Sequence, residues 1–173
     1  MSEQPFSQKR MERAAALLDT LRALKLQVVT AESCTGGLIA GLLTEIPGSS
    51  DVVERGFVTY SNAGKSEMIG VSADLIAKHG AVSKPVAIAM AEGALAHSKA
   101  DISVAVTGVA GPGGGTVEKP VGLVHFATAR RNGETFHSEQ HFGELSRRAI
   151  RLAAVDFAFS LLERQAGTVT APR

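Results

Sequence analysis

The sequence predicts a single α/β domain, built as three α/β/α layers around a mixed sheet that is partly antiparallel. Helix and strand patterns alternate along the 173 residues without a linker or an internal repeat. Hydrophobic residues make up 45% of the chain and charged residues 20%, which is close to globular averages. Asn132-Gly133 separates two strand patterns and is a strong signal for an antiparallel hairpin. We expect the domain to span residues 8–165, with residues 1–7 and 166–173 as loose tails.

The first half of the chain begins with an amphipathic helix at 8–25. Its apolar residues, from Met11 to Leu24, recur at helical spacing with charged residues between them. The next predicted elements are a buried strand at 27–31, a helix at 38–46, a strand at 56–61, and short helices at 62–70 and 72–80.

The second half begins with a helix at 84–97, which carries Pro85 in its first turn, where proline is tolerated. The elements predicted after it are a buried strand at 101–108, a glycine-rich loop at 110–120, strands at 121–129 and 135–142, and a helix at 144–164. This last helix is apolar on nearly all sides from Ile150 to Leu162. It is therefore either buried inside the domain or half of a subunit interface.

Composition and charge exclude several classes of function. The 18 basic and 17 acidic residues give a net charge of +1, so no general attraction to nucleic acid or to a membrane surface follows. No segment approaches the roughly 18 uninterrupted apolar residues of a membrane span. Cys34 is the only cysteine, which excludes an intrachain disulfide and suits a reducing compartment. We expect a cytoplasmic protein that binds neither nucleic acid nor membrane.

No sequence pattern indicates a metal or an organic cofactor. The five histidines lie outside His-Glu-x-x-His and Cys-x-x-Cys frames and are interpreted as structural. The segment from Gly108 to Thr116 (GVAGPGGGT) lacks both the Gly-Lys-Ser/Thr ending of a Walker loop and the Gly-x-Gly-x-x-Gly fingerprint. Its glycines either offer backbone N–H groups to an anion or form a plain flexible connection.

Ser33 is the first candidate for chemistry, because it follows a predicted buried strand and precedes a helix. Free N–H groups and the dipole at the start of that helix can stabilise an oxyanion. The alternative is an ordinary helix N-cap, which the pattern alone favours. Cys34 is a rival nucleophile, since a thiol at a helix start has a lowered pKa, unless it is simply a small buried apolar residue.

Lys65 is the second candidate. With Asn62 as the predicted N-cap, Lys65 lies in the first turn of a short helix, where the helix dipole lowers the pKa of an amine. Serine–lysine pairs activate a hydroxyl without histidine. The alternative is a solvated lysine, and nothing in the pattern alone joins Lys65 to Ser33.

Three other side chains are candidates for binding. Tyr60, the only tyrosine, ends a predicted strand and is interpreted as a half-buried packing residue with a wet hydroxyl. Arg147 and Arg151 are one helical turn apart. They form either a clamp for a phosphate or a solvated helix face.

Taken together, three motifs carry a resemblance to a known family. They are TAESCTGG at 30–37, VTYSN at 58–62 with Lys65 after it, and AVTGVAGPGG at 105–114 followed by KPVG at 119–122. In this order they resemble the CinA C-terminal domain family, which includes nicotinamide-nucleotide amidohydrolases. The resemblance covers about residues 10–165, and the chain looks like the free-standing form of the domain.

The resemblance implies an enzyme that hydrolyses the carboxamide of nicotinamide mononucleotide to nicotinic acid mononucleotide and ammonia, as in pyridine-nucleotide salvage. It implies no cofactor, and a homo-oligomer with a dimer as the expected form. Ser33 matches the nucleophile, Lys65 the general base and Tyr60 a supporting hydroxyl. The expected substrate-binding residues are Cys34, Thr35, Gly36, Asn62, Thr107, Gly108, Gly111 and Arg147.

One segment departs from the family pattern. The family usually shows Phe-x-Gly-Asp-Arg before its last helix, whereas here Gly143 lies two residues further from Arg147. We expect backbone N–H groups around 34–36 to hold the oxyanion. The substrate phosphate would rest either on the Gly111–Gly115 loop or on Arg147. A serine–lysine hydrolase of another small amide and a non-catalytic pyridine-nucleotide-binding module stay open as alternatives.

Overall fold

The structure is a computed structural model that describes residues 4–168. Five strands form one sheet in the order β2-β1-β3-β4-β5. The strands are β1 (Val28–Glu32), β2 (Val53–Val58), β3 (Ile102–Gly108), β4 (Leu123–Arg130) and β5 (Thr135–His141). The helices are α1 (Gln8–Ala23), α2 (Leu38–Thr44), α3 (Asn62–Ile69), α4 (Ala73–His79), α5 (Lys84–Ala96) and α6 (Arg147–Gly167), with a short 3-10 helix at Ser49–Asp51.

The sheet is mixed, as predicted. β1 pairs in parallel with β2 and with β3. β4 is antiparallel to both β3 and β5. Asn132, in the β4–β5 connection, has a φ of 56°, which suits the predicted Asn-Gly hairpin. Because β1, β2 and β3 run the same way, their carboxyl ends lie at one edge of the sheet.

Two apolar clusters lie on the two faces of the sheet and confirm the layered α/β class. One cluster joins α1, α2 and α6 to side chains such as Val28, Val104 and Phe126. The other joins α5 to Val29, Ala31 and Ala105. Neighbouring residues of β1 and β3 thus alternate between the clusters, as expected for strands buried on both faces.

The apolar last helix is buried in the chain's own core. Ile150, Ala154, Val155 and Phe159 are at most 1% exposed. Of the two interpretations offered by the sequence, burial inside the domain accounts for this composition. The expected oligomer stays a prediction.

The boundaries of β2 and α6 differ most from those predicted. β2 begins three residues before the predicted strand and ends at Val58, so Tyr60 lies in the connection to α3. α6 begins at Arg147, where Ser146 caps it, and continues to Gly167. Phe6 is only 7% exposed and Ala166 only 1%. The packed domain therefore extends beyond 8–165 at both ends, whereas residues 1–3 and 169–173 lie outside the described part.

Within residues 4–168, none of the helices combines the length and the hydropathy that crossing a bilayer requires.

Candidate active site

The carboxyl ends of the three parallel strands bring the predicted motifs together. The N–H of Ser33 donates to the carbonyl of Val106 (3.0 Å), which continues the β1–β3 pairing by one residue. A cavity of about 300 Å³ opens at this edge of the sheet. Its lining consists of Ser33, Cys34, Tyr60, Asn62, Lys65, Ala81, Val82, Thr107, Gly108, Ala110 and Arg147.

The structure joins the two candidates that the sequence pattern leaves apart. The Nζ of Lys65 lies 3.1 Å from the Oγ of Ser33. The same Nζ donates to the carbonyl of Thr59 at 2.9 Å. Ser33, at the end of β1, and Lys65, on α3, are therefore joined by a hydrogen bond.

Lys65 is a buried amine, since it is only 1% exposed. This burial lowers the pKa of Lys65, because the ammonium form loses its hydration, and the nearby Cys34 thiol opposes the shift. A lowered pKa favours the neutral amine, which has a free lone pair. Such an amine can accept a proton from the serine hydroxyl that faces it.

Neither predicted helix cap lies where the sequence indicates. Ser33 is not the N-cap of α2, because a four-residue turn follows it and Gly37, with a φ of 98°, occupies the cap position. Asn62 is the first residue of α3 and Ser61 is its N-cap, accepting from the N–H of Gly64 at 2.8 Å. The cap of α2 lies four residues after Ser33, and the cap of α3 lies one residue before Asn62.

Burial makes the Cys34 thiol less reactive than the sequence suggests. It is 6% exposed, and burial raises the pKa of its thiol to about 11. The sequence suggests the opposite direction on the assumption that the thiol lies at a helix start. Since α2 begins only at Leu38, burial decides the shift instead.

The turn from Ser33 to Gly37 leaves backbone N–H groups available for an anion. The N–H of Gly36 donates to the carbonyl of Ser33 at 3.0 Å. Between residues 4 and 168, the N–H groups of Cys34, Thr35 and Gly37 donate to no backbone carbonyl. Of the oxyanion donors expected at 34–36, the N–H groups of Cys34 and Thr35 are therefore the ones without a backbone acceptor.

The start of α2 is occupied by a buried carboxylate, Glu32, that the sequence analysis missed. The Oε atoms of Glu32 accept from the N–H of Ile39 (2.9 Å) and of Ala40 (3.0 Å). Glu32 is 0% exposed, and burial raises its pKa while the two N–H donors oppose that shift. The N–H groups of Ile39 and Ala40 are therefore not available to an oxyanion, although the sequence predicts free N–H groups at the start of this helix. The available signal was a charged residue at the end of an apolar strand pattern.

The two arginines of α6 point to different partners. Arg147 donates to the carbonyl of Gly111 (2.9 Å) and to the hydroxyl of Tyr60 (3.2 Å), at the rim of the cavity. Arg151 donates to the carbonyls of Cys34 (3.0 Å) and Thr35 (3.2 Å). They do not form the paired phosphate clamp that the sequence allows.

Tyr60 lies further out than predicted. It is 64% exposed rather than half-buried, because β2 ends before it. Among the described residues its hydroxyl bonds only to Arg147, so it forms no hydrogen bond with Ser33 or Lys65.

The remaining predicted residues divide between the cavity and its surroundings. Thr107 lines the cavity and donates from its hydroxyl to the carbonyl of Ala81 at 2.9 Å. At Gly108 a Cβ would lie 2.8 Å from the carbonyl oxygen of Leu123, so close packing of β3 on β4 requires glycine there. Thr35, Gly36 and Gly111 lie beside the cavity and not in its lining.

Most of the glycine-rich loop faces a different cavity. That cavity, of about 310 Å³, is lined by Gly113, Gly114, Gly115, Glu144 and neighbouring residues. Across residues 4–168, no three His, Cys, Asp or Glu side chains converge as a set of metal ligands.

Comparisons with known proteins agree with this architecture. Residues 10–166 match the CinA C-terminal domain. An Escherichia coli K12 protein named nicotinamide-nucleotide amidohydrolase PncC is 50% identical over 145 residues, which are 84% of this chain and 87% of that protein. A CinA-like protein of Akkermansia muciniphila is 60% identical over 110 residues, 64% of this chain but only 27% of that longer protein. The crystal structure of the competence/damage inducible protein CihA from Agrobacterium tumefaciens superposes with a TM-score of 0.91 at 53% identity, covering 93% of this chain and 98% of that one.

Proposed function

This chain belongs to the CinA C-terminal domain family, and on that premise we propose that it is a nicotinamide-nucleotide amidohydrolase. The proposed reaction converts nicotinamide mononucleotide and water to nicotinic acid mononucleotide and ammonia, in pyridine-nucleotide salvage. A cytoplasmic location suits this role and the lone thiol of Cys34. We also propose a homo-oligomer, with the dimer as the form to test by sedimentation.

The observation that carries this proposal is the buried contact between Lys65 and Ser33. The 3.1 Å separation is within hydrogen-bond reach, and the lowered pKa of Lys65 favours the neutral base. A serine beside such a base at a cavity floor is the arrangement that acyl transfer needs.

In the acylation step, Lys65 removes the hydroxyl proton as the Oγ of Ser33 attacks the carboxamide carbon. The positive charge of the pyridinium ring makes that carbon more electrophilic. The carbonyl oxygen becomes an oxyanion, which the N–H groups of Cys34 and Thr35 hold. The C–N bond then breaks, and the Lys65 ammonium returns the proton to the leaving group, which departs as ammonia.

In the deacylation step, water attacks the resulting ester. Lys65 takes a proton from the water, the acyl C–O bond to Ser33 breaks, and the proton returns to the Oγ. The product is the carboxylate of nicotinic acid mononucleotide. One base thus serves both halves of the reaction.

For the substrate phosphate, the geometry favours Arg147 over the glycine-rich loop. Arg147 lines the same cavity as Ser33 and Lys65. Gly113–Gly115 face the second cavity, where the carboxylate of Glu144 repels an anion. Among residues 4–168, the guanidinium of Arg147 bonds a carbonyl and a phenol, and it can exchange both for phosphate oxygens, since charge-assisted bonds are stronger.

The experiment is an assay of ammonia release from nicotinamide mononucleotide. We expect Ser33→Ala to abolish turnover while circular dichroism shows an intact fold. Cys34→Ala is the matched neighbour and retains activity, because its raised thiol pKa keeps it protonated. A dead Cys34→Ala with an active Ser33→Ala would instead identify the thiol as the nucleophile.

Two other outcomes would replace the proposed function. Turnover confined to a different amide in a substrate panel would show a serine–lysine hydrolase of another specificity. Tight binding of nicotinamide mononucleotide by the wild-type protein without ammonia release would show a binding module.

A further inference from the structure

The turn that carries Ser33, residues 33–37, is held from two sides by charged side chains that do not line the cavity. We propose that Glu32 and Arg151 are positioning residues that fix this turn in its reactive geometry. The expected effect on catalysis rests on the proposed function, whereas the contacts of Glu32 and Arg151 with the turn are independent of it.

The turn has few bonds of its own. Its internal support is the N–H of Gly36 donating to Ser33 and the N–H of Leu38 donating to Thr35, at 3.0 and 3.1 Å. Gly36 and Gly37 have φ values of 57° and 98°, which glycine adopts readily but other residues do not. Two consecutive glycines also give the turn many alternative conformations, so its native shape depends on outside contacts.

Glu32 holds the base of the turn. Its carboxylate is wholly buried and connects the end of β1 to the N–H groups of Ile39 and Ala40 at 2.9 and 3.0 Å. Gly37 at the cap position has no side chain to satisfy these donors, so Glu32 supplies the missing cap from seven residues away. The bonds fix the distance between the two ends of the turn.

Arg151 holds the top of the turn from α6. Its Nε and Nη2 donate to the carbonyls of Cys34 and Thr35 at 3.0 and 3.2 Å. A Cβ on Gly36 would lie 3.1 Å from the Nη2 of Arg151, so the guanidinium packs directly over this glycine. The rigid fork of arginine thus bridges two successive peptide groups.

This contact also orients a proposed oxyanion donor. In a trans peptide the C=O and N–H groups point in opposite directions. Holding the carbonyl of Cys34 toward Arg151 therefore directs the N–H of Thr35 away from it. Within residues 4–168, that N–H donates to no backbone carbonyl. Arg151 thereby acts on the reaction through the backbone, not by touching the substrate.

The primary test compares Glu32→Gln and Arg151→Lys with wild type. Glutamine keeps the size of Glu32 but has a single acceptor oxygen, so it can accept from only one of the two N–H groups in this geometry. Lysine keeps the charge of Arg151 but loses the two-pronged guanidinium that bonds two carbonyls. We expect kcat per folded molecule to fall roughly 10- to 100-fold in each variant, with KM within about threefold. Glu45→Gln and Arg148→Lys are the matched controls, since both residues are exposed, and their kinetics should equal those of wild type.

Three readouts separate positioning from a merely structural role. Correcting kcat for the folded fraction, from thermal melts, removes loss through unfolding. The double variant should lose less than the product of the single losses, because both residues act on one turn. The pH midpoint of kcat should stay that of wild type, because the bonds of Lys65 to Ser33 and Thr59 do not involve either residue.

The rate at which a fluorophosphonate labels Ser33 tests the turn without any substrate. If wild type is labelled but does not hydrolyse nicotinamide mononucleotide, the proposed function fails, and a tenfold slower labelling of Glu32→Gln still supports the positioning role. Labelling and corrected kcat within about twofold of wild type in both variants would overturn it. Failure of the fluorophosphonate to label Ser33 of the wild-type protein would also overturn the positioning role.

Discussion

The inner wall and the rim of the cavity differ in burial and in how their side chains are held. On the inner wall, Ser33 is 9% exposed and Lys65 is 1% exposed, and each is fixed through bonds to the neighbouring backbone. At the rim, Tyr60 is 64% exposed, and Arg147 reaches it through one bond of 3.2 Å. Reactivity is thus located where water is excluded, and the charge available for recognition is located where water still reaches it.

This difference has a physical basis. Burial lowers the pKa of Lys65 and makes it a usable base, but it also removes favourable hydration from the folded state. A guanidinium at the rim keeps its charge and can exchange partners at little cost. We therefore expect inner-wall substitutions to change kcat and rim substitutions to change KM.

The largest expected effect is that of Lys65→Met. Methionine fills a similar volume but accepts no proton, so kcat should fall by about 10³-fold or more. Lys78→Met, an exposed lysine on α4, is the control and should match wild type in the ammonia assay. Residual activity above about a tenth of wild type would show that another group acts as the base.

A smaller effect is expected from Arg147→Met at the rim. Loss of a charge-assisted contact should raise KM for nicotinamide mononucleotide by about 10- to 100-fold, with kcat little changed. The same variant should treat nicotinamide riboside, which lacks the phosphate, as wild type does. An equal loss of activity on both substrates would contradict phosphate binding by Arg147. An unchanged KM would indicate instead that the Gly111–Gly115 loop binds the phosphate.

The smallest expected effect is that of Lys65→Met on stability: this variant loses activity but should gain thermal stability. Because the pKa of Lys65 is lower folded than unfolded, the unfolded chain binds more protons at neutral pH, and wild type gains stability as pH rises. Lys65→Met lacks this linkage, so its Tm should exceed that of wild type by about 2–4 °C at pH 7.

This Tm difference should narrow as pH approaches 10.5, the ordinary pKa of lysine. Melting curves of both proteins across this pH range measure it. A difference that does not depend on pH would show that packing, not the buried amine, accounts for the gain.

Local pattern was sufficient for most of the fold. The helix at α1, the buried strands β1 and β3 and the Asn-Gly hairpin all follow from periodicity and turn chemistry, which act over a few residues. β2 was misplaced because it is an edge strand with charged Glu54 and Arg55 in it, so no run of apolar residues marks its start.

The sequence by itself determined the α/β class, the three motifs and the placement of Ser33 and Lys65 among the candidates. Only the tertiary structure decided that these two side chains touch across 32 positions of sequence. It also reversed the direction expected for the pKa of Cys34 and revealed the bonds of Glu32 and Arg151. The reason is that periodicity reports the element to which a residue belongs, whereas distance and burial depend on how separate elements pack.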